Sequence, residues 1–176
     1  MRIRIIAAFA LACAAAAATS AFAQSMGAGT RVAPGENPDA MFVQQAGRST
    51  EAELELSRIA VQQASSGAVR RLAENLVKAH ERNERELMTI AAHENIGPPR
   101  ELDAEHAELR AQLSVMHGEE FDHAYLRTVL ADQARLAQLL RSAQGTVSTP
   151  ELRQYIATTL PLVQDQLGMA RAVRFE

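Results

Sequence analysis

From position 37 onward, apolar side chains return at alternating spacings of three and four, the signature of helices that each bury one stripe. Phe42, Ala46, Ser49, Glu53, Leu56, Ala60 and Gln63 make one such stripe, and Val69, Ala73, Leu76, His80, Asn83, Leu87 and Ile90 a second. Leu126, Val129, Gln133, Leu136 and Leu140 make a third, and Leu152, Ile156, Thr159, Val163, Gln166 and Ala170 a fourth. No segment sustains the period-two alternation of a half-buried strand, and β-branched and aromatic residues are few. The expected class is all-α.

Punctuation between the stripes sets the boundaries. Asn37-Pro38-Asp39 combines a capping side chain, a proline at the first helical position and an acid in the first turn, so a helix should start there and reach about Ala64. Ser65-Ser66-Gly67 separates it from a second helix over Ala68 to about Glu94. That helix is stopped by Asn95-Ile96-Gly97-Pro98-Pro99, with the glycine taking the left-handed turn. A shorter, charged helix is expected over Glu101 to Met116, ending near Gly118. A fourth opens at Glu119-Glu120 and stops at Gly145, and a fifth runs from Thr149-Pro150-Glu151 to about Val173. Short links pair the first helix with the second and the fourth with the fifth. The result is a four-helix bundle of two antiparallel hairpins, with the charged helix in the crossing connection.

Each main stripe is interrupted by a polar residue: Glu53, His80, Gln133 or Gln166. Bundles build ligand and metal sites from such positions, so this polar layer is where chemistry would be sought. At about 1.5 Å per residue, Glu53 lies roughly 20 Å before the Ser66 turn and His80 roughly 21 Å after it, which makes them level across the hairpin. Gln133 and Gln166 differ in height by roughly 7 Å on the same count, unless a kink at Pro161 compensates. The layer has two main readings, beside a third in which the helices rotate and one of these residues is simply exposed. In one, the four side chains satisfy one another and fix the register of the bundle. In the other, a neutral His80 nitrogen and Glu53 ligate a divalent transition metal.

The ends set the compartment. Arg2 and Arg4, the apolar run Ile5 to Ala18 and the small-x-small Ala21-Phe22-Ala23 read as a signal peptide over residues 1–23. Residues 24–36, rich in Gly, Ser, Ala and Pro, read as a flexible leader, and residues 37–176 as one helical domain. Cys13, the single cysteine, lies in the removed segment, which leaves the exported chain without disulfides or thiol ligands. Acylation at Cys13 is the weaker alternative, since Leu11 is one place out for a lipoprotein signal. The expected location is periplasmic or secreted, with no transmembrane helix in the mature chain.

Without Arg2 and Arg4, 16 basic residues face 21 acidic ones, a net charge of −5. With no Trp and two Tyr, no basic face with stacking platforms emerges, which argues against a nucleic-acid partner. Arg70-Arg71 and Arg82 to Arg85 read as solvated faces. Glu120 and His123 have a ligand-like spacing but sit in a first turn. His93, His106 and His117 share no stripe and fall near ends or on charged faces.

The order of Phe42-Val43, Gln45-Ala46, Glu53, Leu56, Ala60, Val69, Leu72-Ala73, His80, Glu86-Leu87, Phe121-Asp122, Tyr125, Leu160-Pro161, Leu167 and Met169-Ala170 resembles the exported bacterial domain-of-unknown-function family 4142. The resemblance covers about Met41 to Val173 and implies a ferritin-like bundle. It also implies histidines where this chain has Gln133 and Gln166, and an Asp where it has Ala79. Glutamine is a feeble transition-metal ligand, so any histidine cluster is reduced to His80. A ferritin-like Glu-x-x-His is also missing there, since Val77 precedes His80 by three.

No phosphate loop, nucleophile elbow or His-Glu-x-x-His occurs. The expected function is a non-enzymatic exported structural or interaction module of the cell envelope, with no cofactor. Its expected partner is an unidentified protein or small ligand, or a second copy of the chain. The alternative is a metal- or small-ligand-binding bundle using Glu53 and His80.

Overall fold

The computed structural model describes residues 37–97 and 102–174. The signal peptide, the leader, Cys13 and the Pro98-Pro99 stop lie outside the described residues. Five helices follow in order: α1 Pro38–Gln63, α2 Gly67–His93, α3 Ala104–Val115, α4 Gly118–Ala143 and α5 Pro150–Ala172. The class is all-α, and among the described residues no strand forms.

Local chemistry explains the ends. Asn37 accepts from the Asp39 amide with Pro38 at N1, and Ser66 accepts from the Ala68 amide, so each side chain satisfies a donor that the first turn leaves unpaired. At the end of α2 the left-handed residue is Asn95 (φ 55°) and not Gly97 as expected. The Ile96 amide bonds back to the Ala91 carbonyl and the Asn95 amide to that of Ala92, so the reversal is complete two residues before the glycine. Gly145 is likewise not the residue that ends α4, which stops at Ala143 and turns through Thr146 and Val147 amides bonded to the Ala143 carbonyl. Gly118, at the head of α4, does need a glycine: its φ is +62°.

The four long helices form a ring in which α1 packs on α2 and α4, and α5 packs on α2 and α4. Every ring neighbour is antiparallel. Asp39 at the start of α1 meets Ser148 and Thr149 at the end of α4, while Ser65 at the other end meets Asp122 at the start of α4. The connection from α2 to α4 therefore travels the length of the bundle, and α3 lies in it, against α1 and α4. Pro161 sits inside α5 without dividing it. With three helices against it, α1 buries more than one stripe: Val43, Gly47, Thr50, Leu54 and Ser57 are enclosed beside Phe42, Glu53 and Leu56.

The core has two apolar clusters. One gathers Phe42, Leu87, Leu136, Leu140, Tyr155 and Ile156 toward one end, and the other Leu56, Leu76, Leu113, Phe121, Tyr125 and Val129 toward the opposite end. The polar layer lies between them in sequence on every long helix.

Candidate functional site

Glu53, His80, Gln133 and Gln166 come from α1, α2, α4 and α5, and their relative exposures are 2%, 0%, 0% and 4%. Each sits on its stripe because the apolar spacing on either side turns that face inward. Three of them converge. Glu53 Oε2 lies 3.1 Å from His80 Nε2 and accepts from Gln133 Nε2 at 2.8 Å, and Gln133 Nε2 approaches His80 Nε2 at 3.2 Å. Gln133 thus joins Glu53 on the adjacent helix α1, and its approach to His80 on α2 spans the diagonal of the bundle. Gln166 is not hydrogen-bonded to the other three, and its Oε1 has no partner.

The triangle fixes the tautomer by argument. With the proton on Nε2, His80 donates to Glu53 and its Nδ1 is an unpaired acceptor. With the proton on Nδ1, a buried N–H has no acceptor and Nε2 faces Glu53 lone pair to lone pair. Unpaired donors are the rarer and costlier case, so the Nε2–H form is assigned. The Gln133–His80 approach is then donor to donor, and Glu53 Oε2 is the hub that both neighbours serve. Glu53 Oε1, His80 Nδ1, Gln133 Oε1 and Gln166 Oε1 are buried without hydrogen-bond partners. Each such atom costs about 1–3 kcal/mol, which offsets the gain from the bonds that the layer does make.

A ring of bonds toward the bundle ends surrounds this layer. Ser57 Oγ and Tyr125 Oη pair at 2.8 Å, with burial raising the Tyr125 hydroxyl above its ordinary range. Asp122, fully buried, accepts from the Ser65 amide and hydroxyl and from the Ser66 amide. Asp39 does the same at the other end for Ser148 and Thr149. Burial alone would raise the Asp39 pKa, but the Thr149 and Ser148 bonds outweigh it and hold the carboxyl below 3.8. The sequence reading missed both aspartates as tethers; an acid on a buried position one turn from a helix start was the available signal.

It also misplaced His106. On α3 this residue is 9% exposed and faces two carboxylates. Nδ1 lies 2.9 Å from both Asp103 oxygens, and Nε2 lies 3.5 Å from Asp132 Oδ2 on α4. The Asp132 carboxylate is the main influence, burial opposes it and Asp103 reinforces it, which pushes the pKa up to about 9. Asp132 Oδ1 accepts from Arg135, which also reaches Glu105 at 3.1 Å. The Asp partners come from an N-cap and from the next residue to Gln133, so no periodicity within α3 could announce them. Glu120, His123, His93 and His117 are all exposed.

Access separates the two polar groups. A cavity of about 270 Å³ is lined by Gln45, Arg48, Ser49, Asp103, His106, Asp132 and Arg135, and another of about 360 Å³ by Ser65, Ser66, Arg71, Asp122 and Arg174. Neither touches Glu53, His80, Gln133 or Gln166. Among the described residues no three His, Cys, Asp or Glu side chains are grouped to hold a metal ion, and no helix is long and apolar enough to cross a membrane.

The profile of the family described as "Domain of unknown function (DUF4142)" matches residues 25–173. No curated protein matches the chain. Among solved structures, a DUF305 fragment from Deinococcus radiodurans is similar at TM-score 0.69 and 15% identity, covering 77% of this chain and 94% of that one. A DUF305 protein from Streptomyces coelicolor, described as a candidate secreted protein, gives 0.67 and 10%, covering 76% and 88%. CopM in the Cu(I)-bound form gives 0.63 and 15%, covering 76% and 92%. At these identities the likeness is one of fold.

Proposed function

We propose, starting from the fact that this chain belongs to the domain-of-unknown-function family 4142, that it is an exported, non-enzymatic helical bundle acting as a structural or interaction module of the cell envelope. The observation that carries this reading is the enclosure of the polar layer. Reacting groups need access to substrate, whereas Glu53, His80 and Gln133 are at most 2% exposed and bonded to one another. Their chemistry suits a lock that sets the register of four helices, as single buried polar residues do in coiled coils. The basic start and apolar run of residues 1–18 and the small-x-small sequence at Ala21-Phe22-Ala23 support export, as does a fold shared with a protein described as a candidate for secretion.

A second reading is a metal-binding bundle using Glu53 and His80, favoured by the likeness to CopM, which is described as Cu(I)-bound. The donor set fits it poorly. One imidazole, one carboxylate and one amide oxygen make a hard, mixed set, while Cu(I) prefers soft thiolate and thioether ligands. The two readings separate in a metal titration of the exported protein and its His80→Gln variant. The lock predicts that any stoichiometry found in the wild type is kept by the variant; loss of binding in His80→Gln would establish the metal reading. Mass spectrometry of the exported protein should give an N-terminus at Gln24, and an uncleaved or cytoplasmic chain would refute export.

A further inference from the structure

We propose that the half of the α1–α4 seam left open beside α3 is a binding groove for an anionic amphiphile, an alkyl chain ending in a carboxylate or phosphate, with Arg48 receiving the head. The seam has two halves. α3 covers one, meeting α1 at Glu55 through Arg110, with its last turn beside Gln63. In the other, Asn37, Met41, Gln44 and Arg48 recur at spacings of four, three and four and so share one face of α1. Two adjoining cavities open along that face. One, of about 330 Å³, runs from Asn37 to Arg48. The second, of about 270 Å³, takes up at Gln45 and Arg48, continues to Leu136 and Leu139 of α4, and is bounded by Asp103 and His106 next to α3. Asn37 to Ser49 spans about 18 Å at 1.5 Å per residue, the reach of one extended alkyl chain with its head.

The lining suits both parts of such a molecule. Met41 is partly buried, and Leu136 and Leu139 edge the apolar cluster of Phe42 and Leu140, so an alkyl chain laid there continues the core. Small-molecule sites have this character, mostly apolar with a few placed polar groups. Arg48 is the polar group here. It is half-buried, lines both cavities and has no hydrogen-bond or ion-pair partner among the described residues. The other charges are engaged: Asp103 and Asp132 face His106, and Arg135 bonds to Asp132 and Glu105. With His106 protonated, Arg48, His106 and Arg135 line the second cavity against Asp103 and Asp132, an excess of one positive charge. A guanidinium takes carboxylate or phosphate through paired N–H donors, whereas an ammonium head is repelled and a hydroxyl head makes weaker bonds. The groove is separate from the Glu53 layer, whose residues line neither cavity.

The probes are decanoate, decyl phosphate, 1-decanol and decylamine, titrated below micelle-forming concentrations into the protein without residues 1–23 and followed by methyl NMR at Met41 and Leu139. At least one of the two anions should bind one per chain and shift both methyl signals, and their ranking gives the preferred head. 1-Decanol should bind about 10–100-fold more weakly than that anion. Shortening its chain by two carbons should weaken binding about tenfold. Arg48→Met should bring the anion down to the affinity of 1-decanol, while Arg71→Met, in the other arginine-lined cavity, should bind as the wild type does. Circular dichroism verifies that each variant folds. No saturable binding by either anion, decylamine binding as tightly as the anions, or anion affinity unchanged in Arg48→Met overturns the proposal. Acetate or inorganic phosphate binding as tightly as its decyl counterpart overturns it too, by making the occupant a simple anion or an acidic peptide. If Arg48→Met fails to fold, equal affinity of the wild type for 1-decanol and the anions is the overturning result.

Discussion

Replacing His80 by leucine removes one of the two groups that serve Glu53 Oε2 and leaves the other. The imidazole at 3.1 Å is lost while Gln133 stays at 2.8 Å, and Glu53 Oε1 has no partner in either case. A hydrogen bond to a charged group contributes about 1.5–3 kcal/mol, and stripping one partner from a buried pair costs about 3–5 kcal/mol. Because Gln133 retains its bond, the lower part of that range applies, so His80→Leu should cost about 3 kcal/mol. His80→Gln keeps a donor of similar reach and should cost about 1–2 kcal/mol. In His80→Leu/Glu53→Met the carboxylate that needed a partner is gone, and the double variant should be more stable than the sum of the single losses by about 2 kcal/mol. Urea unfolding followed by circular dichroism gives each value from the midpoint and slope. If His80→Leu costs less than about 1 kcal/mol, or the two substitutions add without coupling, the Glu53–His80 pair is not what holds this layer.

Asp122→Ala should cost at least about 3 kcal/mol in the same assay, because it strands the Ser65 and Ser66 amides that tie the α1–α2 turn to α4; an effect near zero would show those amides served by water. Asp39 is held below its ordinary pKa, so the stability it contributes is present above pH 3.8 and lost as pH falls through the lower folded value. Asp39→Asn should therefore flatten the acid limb of the melting temperature below pH 4. His106 has the opposite sign: raised to about 9, it contributes fully below pH 6.5, and that contribution is lost as pH rises through 9. The melting temperature should fall between pH 7 and 10 in the wild type and less in His106→Gln. Gly118→Ala meets no atom within 4 Å, so its expected cost of about 1–2 kcal/mol is purely that of a left-handed backbone.

The parts of the fold legible in the sequence are those governed by local rules. Asn37-Pro38 and Ser66 announce helix starts through a capping side chain, and Pro150 through its fixed φ, because both effects act within four residues; the Thr149 hydroxyl turns to Asp39 instead of capping α5. The stripes place Glu53 and His80 level because rise per residue is constant. Helix ends were less legible: Asn95 and Gly97 both tolerate the left-handed turn, and the choice between them rests on where Ala91 and Ala92 stop accepting. Contacts between elements are not legible from spacing, and His106 shows why. Its partners Asp103 and Asp132 are 3 and 26 residues away, and the docking of α3 on α4, not any spacing, brings them to one imidazole.

The role proposed for Glu53, His80 and Gln133 is that of a closed hydrogen-bonded lock. Ring-nitrogen NMR of the protein without residues 1–23 during a Zn²⁺ titration tests it most directly. In a closed lock His80 Nε2 keeps its proton, and both ring nitrogens are unmoved by the metal at every concentration. A His80 nitrogen that loses its proton and shifts as Zn²⁺ is added would contradict it.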